Sequence, residues 1–426
     1  MSDIDKWDAR STRVVIAAFF GMVIDGMDLQ MLSLSLTSIM KETGISKVMA
    51  GALATYMFVG MGLGGILSGW LADRYGRVRV VWWSIVVFSC LTSFISLASQ
   101  YWQIALMLFV SGFGLGSLYS IGNLLAAEYV PTRRRTTVGG TLQAGWSVGY
   151  VVSALLAAYI LPHYGWRPLF AVAVIPGIIG LLLLRGVSDP PSWFAARGAA
   201  KKAGKKVNEF GIIWADRKLR STLLFWMITS MVLQFGYYGC VSWLPSYLVK
   251  DLGVDLKSMG WFVAATYMAM ITGKLITGYL GDKLGRKTLW LIVNLGAAIS
   301  IPLVVKFADA GNVAYLVLFA GLFYGAPWAI AATYMNESYP TIVRGTGASL
   351  SHNVGRIGAM ASGVVIGFIA TQYSISAGIA MLGGCYLIAA LVPGFFIKEK
   401  MYDPKAGEAP MESVAFAAEA IEPAGK

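Results

Sequence analysis

Charge is what this chain has least of. Charged residues make up 13% of its 426 positions and apolar residues 57%, where a water-soluble domain carries about 25% charged residues. So little charge could not cover a water-facing surface of this length, which excludes a soluble enzyme and a disordered chain. Cysteine is nearly absent as well. Cys90, Cys240 and Cys385 each sit in an apolar run without metal spacing, which excludes a disulfide scaffold and reads as three buried spectators. Histidine is limited to His163 and His352, too few for a metal site. No phosphate loop or nucleophile triad occurs. The chain is therefore expected to be no enzyme and to take no cofactor, metal or nucleic acid. Met1 to Arg13 also lacks the positive start and cleavage site of a signal peptide, so the first apolar run is expected to stay as an anchor.

Long apolar runs are what the chain has in quantity, with a mean hydropathy of +0.65. Crossing ~30 Å of hydrocarbon takes about 20 residues at 1.5 Å each. Twelve runs qualify, near 14–40, 48–72, 79–98, 102–129, 137–161, 168–187, 220–248, 256–281, 288–308, 312–337, 346–370 and 374–396. Fourteen Trp, 20 Tyr and 20 Phe suit aromatic belts at two interfaces, and 49 Gly suit closely packed membrane helices. A polar insert with Lys201, Lys202, Lys205 and Lys206 splits the runs six and six. The expected organisation is an N-terminal six-helix half at 1–187, a solvated basic linker at 188–219, a C-terminal six-helix half at 220–396, and a disordered tail at 397–426 rich in Ala, Glu and Pro.

Lysine and arginine then set the orientation. Of 34, 26 fall in the N-terminus, the even-numbered loops, the linker and the tail, and 6 in the odd-numbered loops. The positive-inside rule places both termini and the linker in the cytoplasm. The remaining two, Lys274 and Arg356, lie inside apolar runs.

The chain also repeats itself. Gly69-Trp-Leu-Ala-Asp73-Arg74-Tyr-Gly76-Arg77-Val-Arg79 follows span 2, and Gly278-Tyr-Leu-Gly-Asp282-Lys283-Leu-Gly285-Arg286-Lys287 follows span 8. Span 4 ends in Glu128-Tyr-Val-Pro131-Thr132-Arg133-Arg134-Arg135, and span 10 in Glu337-Ser-Tyr-Pro340-Thr341-Ile-Val-Arg344. Loops recurring six helices apart describe two related halves that enclose a central site and rock around it.

These paired loops resemble the signature loop of the major facilitator superfamily over about residues 10 to 396. Asp25-Gly26-Met27-Asp28 in span 1 resembles the D-G-x-D element of its aromatic acid:proton symporters, as do Trp243-Leu244-Pro245, Arg344-Gly-Thr-Gly347 and Gly355-Arg356. Span 4 departs from that branch in lacking an Arg and a midway proline. The resemblance implies an all-α membrane protein of twelve transmembrane helices in two pseudo-symmetric halves, working as a monomer in the inner-membrane bilayer. It further implies import of a small organic anion, first an aromatic carboxylate, together with a proton. A sialic acid or lactate-like importer is the alternative within transport, and a membrane sensor or enzyme the alternative outside it.

Asp25 and Asp28 are the acids deepest in any span and share a helix face at i,i+3 spacing. An Asp at a helix centre costs ~2.5–3.5 kcal/mol on insertion scales, so the pair reads as the proton carrier, with a structural ion pair as its alternative. Arg356 lies 12 residues past Arg344, ~18 Å deep by helical rise, and its planar fork suits a carboxylate. It reads as the substrate anchor, or else as a partner for Asp25 or Asp28. Lys274 reads as a snorkelling residue or a cavity residue. Asn353 and Gln143 are polar candidates near the site. Tyr150, Tyr238, Trp243 and Tyr324, with Tyr237, Tyr267 and Trp328, are candidates to stack on a planar substrate. His352 reads as packing. Gly69, Asp73, Arg74, Gly76 and Arg77, with Asp282, Gly285 and Arg286, read as gating machinery. Glu128 with Arg133 and Arg135, and Glu337 with Arg344, extend it.

Overall fold

The computed structural model describes residues 7–202, 208–309 and 311–399. The linker lysines Lys205 and Lys206 and the tail from 400 on lie outside the described residues. Helix accounts for nearly all of the rest, because lipid offers a backbone N–H or C=O no partner and each span must satisfy its own.

Six helices form the first half: α1 (Ala9–Thr43), α2 (Lys47–Tyr75), α3 (Arg77–Leu97), α4 (Tyr101–Tyr129), α5 (Thr132–Tyr164) and α6 (Arg167–Leu184). Six form the second: α7 (Arg217–Lys250), α8 (Leu256–Leu284), α9 (Arg286–Phe307), α10 (Val313–Glu337), α11 (Arg344–Gln372) and α12 (Ile375–Phe396). Eleven of these are apolar and long enough to cross a membrane. The other, α8, matches them in length but carries Lys274 mid-helix.

One apolar core lies within the first half, and a second fills the second half and takes in Met22, Tyr119, Leu142 and Trp146 of the first. The halves match with a constant offset of 209 residues: Asp73 corresponds to Asp282, Gly76 to Gly285, Arg77 to Arg286, Glu128 to Glu337 and Arg135 to Arg344. The tight α2–α3 and α8–α9 turns require backbone at φ +111° and +90°, which Gly76 and Gly285 supply without a Cβ penalty. Across the halves, α2 packs on α11 and α5 on α8.

Three spans break their helical ladder at the level of the cavity. In α4 a π-helical turn runs over Leu118–Gly122. In α10 the helix stops at Tyr324 and resumes at Trp328. In α11 it is interrupted at Gly355, just before Arg356. Such turns re-aim side chains and leave backbone groups for functional use.

The linker is more ordered than its composition suggests. The helix at Pro191–Lys202 folds against the end of α2, and the helix at Glu209–Ala215 packs on α7 and α11. Trp193 Nε1 donates to the Asp73 carbonyl at 2.9 Å, Arg197 donates to the Arg74 carbonyl at 3.0 Å, and Arg197 pairs with Glu209 at 3.6 Å. Trp193 and the buried Ile213 give the segment an apolar side that its lysines conceal.

Candidate functional site

A narrow cavity lies between the halves. Both halves contribute matched positions. Asp25 of α1 corresponds to Gln234 of α7, Tyr119 of α4 to Trp328 of α10, and Gln143 of α5 to His352 of α11, each pair related by the 209-residue offset and all six lining the cavity. Trp146, Tyr237, Tyr238, Lys274 and Arg356 complete the lining.

Aromatic rings form its walls. Tyr119 stacks on His352 at 3.9 Å and meets Trp328 edge-on at 5.9 Å. Trp146 meets Tyr237 at 6.0 Å, and Tyr238 meets Phe58 at 5.8 Å. Close helix contact brings the Trp146 segment there. A Cβ on Gly26 would lie 2.1 Å from the Trp146 carbonyl oxygen, so α1 and α5 touch backbone to backbone.

Arg356 is 4% exposed. Its Nε donates to Asn353 Oδ1 at 3.0 Å and one terminal nitrogen to Met61 Sδ at 3.5 Å. Asn353 is itself held by donating to Ser120 Oγ and the Ser349 carbonyl. Asn353 therefore orients the guanidinium and does not line the cavity. No carboxylate among the described residues forms an ion pair with Arg356. Taking such a charge out of water costs several kcal/mol, and a substrate carboxylate is the group that fits its fork.

Asp25 lies beside Trp146 and within electrostatic reach of Arg356, and one of its oxygens lacks a hydrogen bond. Asp28 is not in the cavity wall. It points to α3, where Thr92 Oγ1 donates to it at 3.3 Å. Lys274 turns inward and does not snorkel. Its Nζ donates to the Gln143 carbonyl at 3.1 Å and to Ser147 Oγ at 3.0 Å, and sits 5.4 Å from the Trp146 ring centroid. Four buried donors on the wall also lack partners among the described residues: Gln143 Nε2, Tyr119 OH, Tyr237 OH and Trp328 Nε1. Each unmade bond costs ~1–3 kcal/mol, and together they suit a ligand rich in acceptor oxygens.

Not every expected aromatic reaches this cavity. Tyr324 lines a separate apolar pocket with Cys240 and Leu244, because the α10 break follows it and re-aims the chain only from Trp328. Trp243 packs against the α11 backbone at Gly367, being two turns beyond Tyr237 toward the far end of α7. Tyr150 stacks one turn above Trp146 at 4.4 Å, outside the cavity wall. Sequence reasoning passed over Tyr119, Trp146 and Gln234 and set His352 aside as packing. Of these, only the rarity of Gln234 within an apolar span was a visible signal.

The second assembly lies beside the linker helix that holds Trp193. Asp73 accepts from Gly345 N at 3.1 Å, Thr346 N at 2.7 Å and Thr346 Oγ1 at 2.8 Å, all at the start of α11. Asp282 does the same at the start of α5, accepting from Thr136 N at 3.0 Å and Thr137 N at 2.7 Å and from both hydroxyls. Each carboxylate thus caps a helix of the opposite half, where N–H groups and the helix dipole favour an anion. Arg77 pairs with Asp73 at 3.2 Å and Glu128 at 2.9 Å and donates to the Thr341 carbonyl of the other half. Arg286 repeats this with Asp282, Glu337 and the Thr132 carbonyl. Gly69 lets α2 approach α11, since its Cβ would lie 2.5 Å from the Gly345 carbonyl.

Two expectations need correction here. Glu128 pairs with Arg77 and Arg344, and Glu337 with Arg286 and Arg135. The arginines after α4 and α10 thus reach the glutamate of the opposite half rather than the one before them in sequence, because a helix-ending turn points them across the interface. Arg74 stands outside this lattice, exposed over the Trp70 and Tyr75 rings at 5.3 and 5.8 Å. It follows Asp73 by one residue and so leaves the helix on a different face.

Comparison with known proteins follows the same lines. The Major Facilitator Superfamily profile matches residues 18–259 and 244–419. The chain is 45% identical over 390 residues to the cis,cis-muconate transport protein of Acinetobacter baylyi, covering 91% of this chain and 94% of that one. It is 26% identical over 399 residues to the gentisate transporter of Corynebacterium glutamicum, covering 92% and 89%. Among solved structures, the proton:xylose symporter XylE superposes with a TM-score of 0.77 at 19% identity, over 96% of this chain and 99% of that one.

Proposed function

From the premise that the chain belongs to the Major Facilitator Superfamily, we propose that it is a proton-coupled symporter importing a small organic acid, an aromatic or similarly unsaturated carboxylate, by alternating access. One observation carries the reading. Arg356 is buried, lacks a carboxylate partner among the described residues, and shares its cavity with Asp25. The names of the muconate and gentisate relatives support the acid class.

The electrical argument sets the coupling. An anion entering a negative-inside cell works against ~2.3 kcal/mol per charge per 100 mV. One proton carried with a monovalent anion, or two with a dianion, removes that cost. Asp25 in its charged form competes for the Arg356 field. Once protonated, it leaves the guanidinium to the incoming carboxylate, so proton and anion favour each other in one cavity. Asp28, one turn along α1 and against α3, is the second carboxyl of the relay. The halves rock as units at 1–187 and 220–396. The Asp73 and Asp282 caps hold closed the face that bears the linker. The distribution of Lys and Arg supports an inner-membrane protein with that face in the cytoplasm.

Proteoliposomes test this. An inward proton gradient should drive uphill accumulation of an organic acid such as muconate or gentisate, and a protonophore should abolish it. Binding of such acids with no accumulation under any gradient would instead describe a sensor and refute the symport reading.

A further inference from the structure

We propose that the cavity selects dicarboxylates, with Arg356 holding one carboxylate and Lys274 the other. The inference rests on the organic-acid reading above and names its substrate class. It begins with the pseudo-two-fold relation. The two cross-half interfaces that flank the cavity, α5 on α8 and α2 on α11, exchange under that symmetry. Lys274 sits at the first, reaching Ser147 of α5. Arg356 sits at the second, reaching Met61 of α2. The two cations therefore stand on opposite sides of the cavity, both lining it.

The asymmetry between halves makes the same point. By the 209-residue offset, Arg356 corresponds to Ser147 and Lys274 to Gly65. The second half carries a cation at each interface where the first half carries a small residue, so each cation has room to project across. Neither forms an ion pair with a described residue. Lys274 meets only a carbonyl, a hydroxyl and an indole face, and Arg356 only an amide and a thioether. The acid facing them on the cavity wall is Asp25.

Charge counting then chooses the ligand. With Asp25 protonated, the wall presents two cations, and a monocarboxylate leaves one buried without a counter-ion, which is costly. A dicarboxylate satisfies both. Gln143 Nε2 lies on the Lys274 side, an unpartnered donor for the second carboxylate. Between the ends, Tyr119, Trp146, Tyr237 and Trp328 offer ring faces and edges suited to a short planar chain.

A matched pair of probes isolates the claim: trans,trans-hexa-2,4-dienedioate and hexa-2,4-dienoate share a conjugated six-carbon chain and differ by one carboxylate. Affinities come from competition for uptake in proteoliposomes, on variants shown to be monodisperse and helical. The wild type should prefer the diacid. Lys274→Gln should lower the diacid-to-monoacid affinity ratio by about tenfold or more, as losing one partner of a buried charge pair does. Lys274→Arg, which keeps the charge, should retain most of the ratio. If Lys274 merely pins α8 to α5, Lys274→Gln will change both affinities alike and leave the ratio intact, which overturns the inference while the transport reading stands. A wild type that prefers the monoacid overturns it as well. Should neither acid, nor any other, be accumulated, the organic-acid reading itself fails, a distinguishable result.

Discussion

Replacing Asp73 with Asn tests the gate at a place where the structure supplies the arithmetic. The carboxylate takes three hydrogen bonds from the opposite half, at 2.7, 2.8 and 3.1 Å. Bonds to a charged group are worth ~1.5–3 kcal/mol each. Asn keeps a single acceptor oxygen and no charge, so one or two of the three are lost, together with the helix-dipole term of up to ~2 kcal/mol. Arg77 is not orphaned, because Glu128 still holds it at 2.9 Å, and this limits the damage to the fold. A net loss of about 2–4 kcal/mol corresponds to a roughly 30- to 1,000-fold shift toward states open at the linker face. All three bonds cross the halves, so the shift falls on the conformational equilibrium and not on the cavity. Spin labels at the exposed positions 79 and 283, one in each half, read it directly after the three native cysteines are replaced. The long-distance population should grow in Asp73→Asn, substrate affinity should change little, and net uptake should slow. Asp282→Asn should match it within a few-fold, since its contacts repeat those of Asp73. An unchanged distance distribution in both variants would refute the capping argument.

Other substitutions separate the remaining roles. Arg356→Lys keeps the charge but loses the planar fork and the Asn353 geometry, so substrate affinity should fall roughly 30-fold or more; near-normal affinity in correctly inserted protein removes the anchor role. Asp25→Asn and Asp28→Asn should both lose pH-driven accumulation, while Asp28→Asn, outside the cavity wall, keeps exchange of labelled for unlabelled substrate closer to the wild-type rate. Wild-type accumulation by both variants would show that coupling bypasses the pair. Gly26→Val places side-chain carbon against the Trp146 carbonyl, where even a Cβ would stand at 2.1 Å. Overpacking there costs ~1–3 kcal/mol or more, so a thermal-denaturation assay should show a clear drop in midpoint, and an unshifted midpoint would mean that α1 and α5 are less tightly packed than described.

Much of this protein was legible in one dimension. Lipid forces a span to be an apolar helix wherever it meets the hydrocarbon, so counting apolar runs gave the helices, and the Asp-x-x-Gly-Arg loops recurring six helices apart revealed the halves. Deep charges stood out because membranes make them expensive, which is why Asp25, Asp28, Lys274 and Arg356 were all singled out. The cross-half lattice of Asp73, Asp282 and their arginines was legible for a related reason: a motif that recurs at the same place in both halves marks a shared task.

What remained hidden has one physical cause. A span that is apolar all round carries no amphipathic stripe to say which way a side chain points. Tyr119, Trp146 and His352 could not be told from lipid-facing rings, nor Trp243 and Tyr324 from cavity rings, until helix packing and, for Tyr119 and Tyr324, the π-turn in α4 and the break in α10 had aimed them. The direction of Lys274 was equally open, since a long stem reaches either an interface or a cavity. The exchange of glutamate partners between halves was invisible as well, because it depends on how one half docks on the other and not on spacing along either. Sequence alone thus determined which residues are too costly to be there without a purpose. Tertiary packing decided which of them meet, because helix ends, helix-helix contacts and, in α4 and α10, ladder breaks set side-chain direction where hydrophobic pattern cannot.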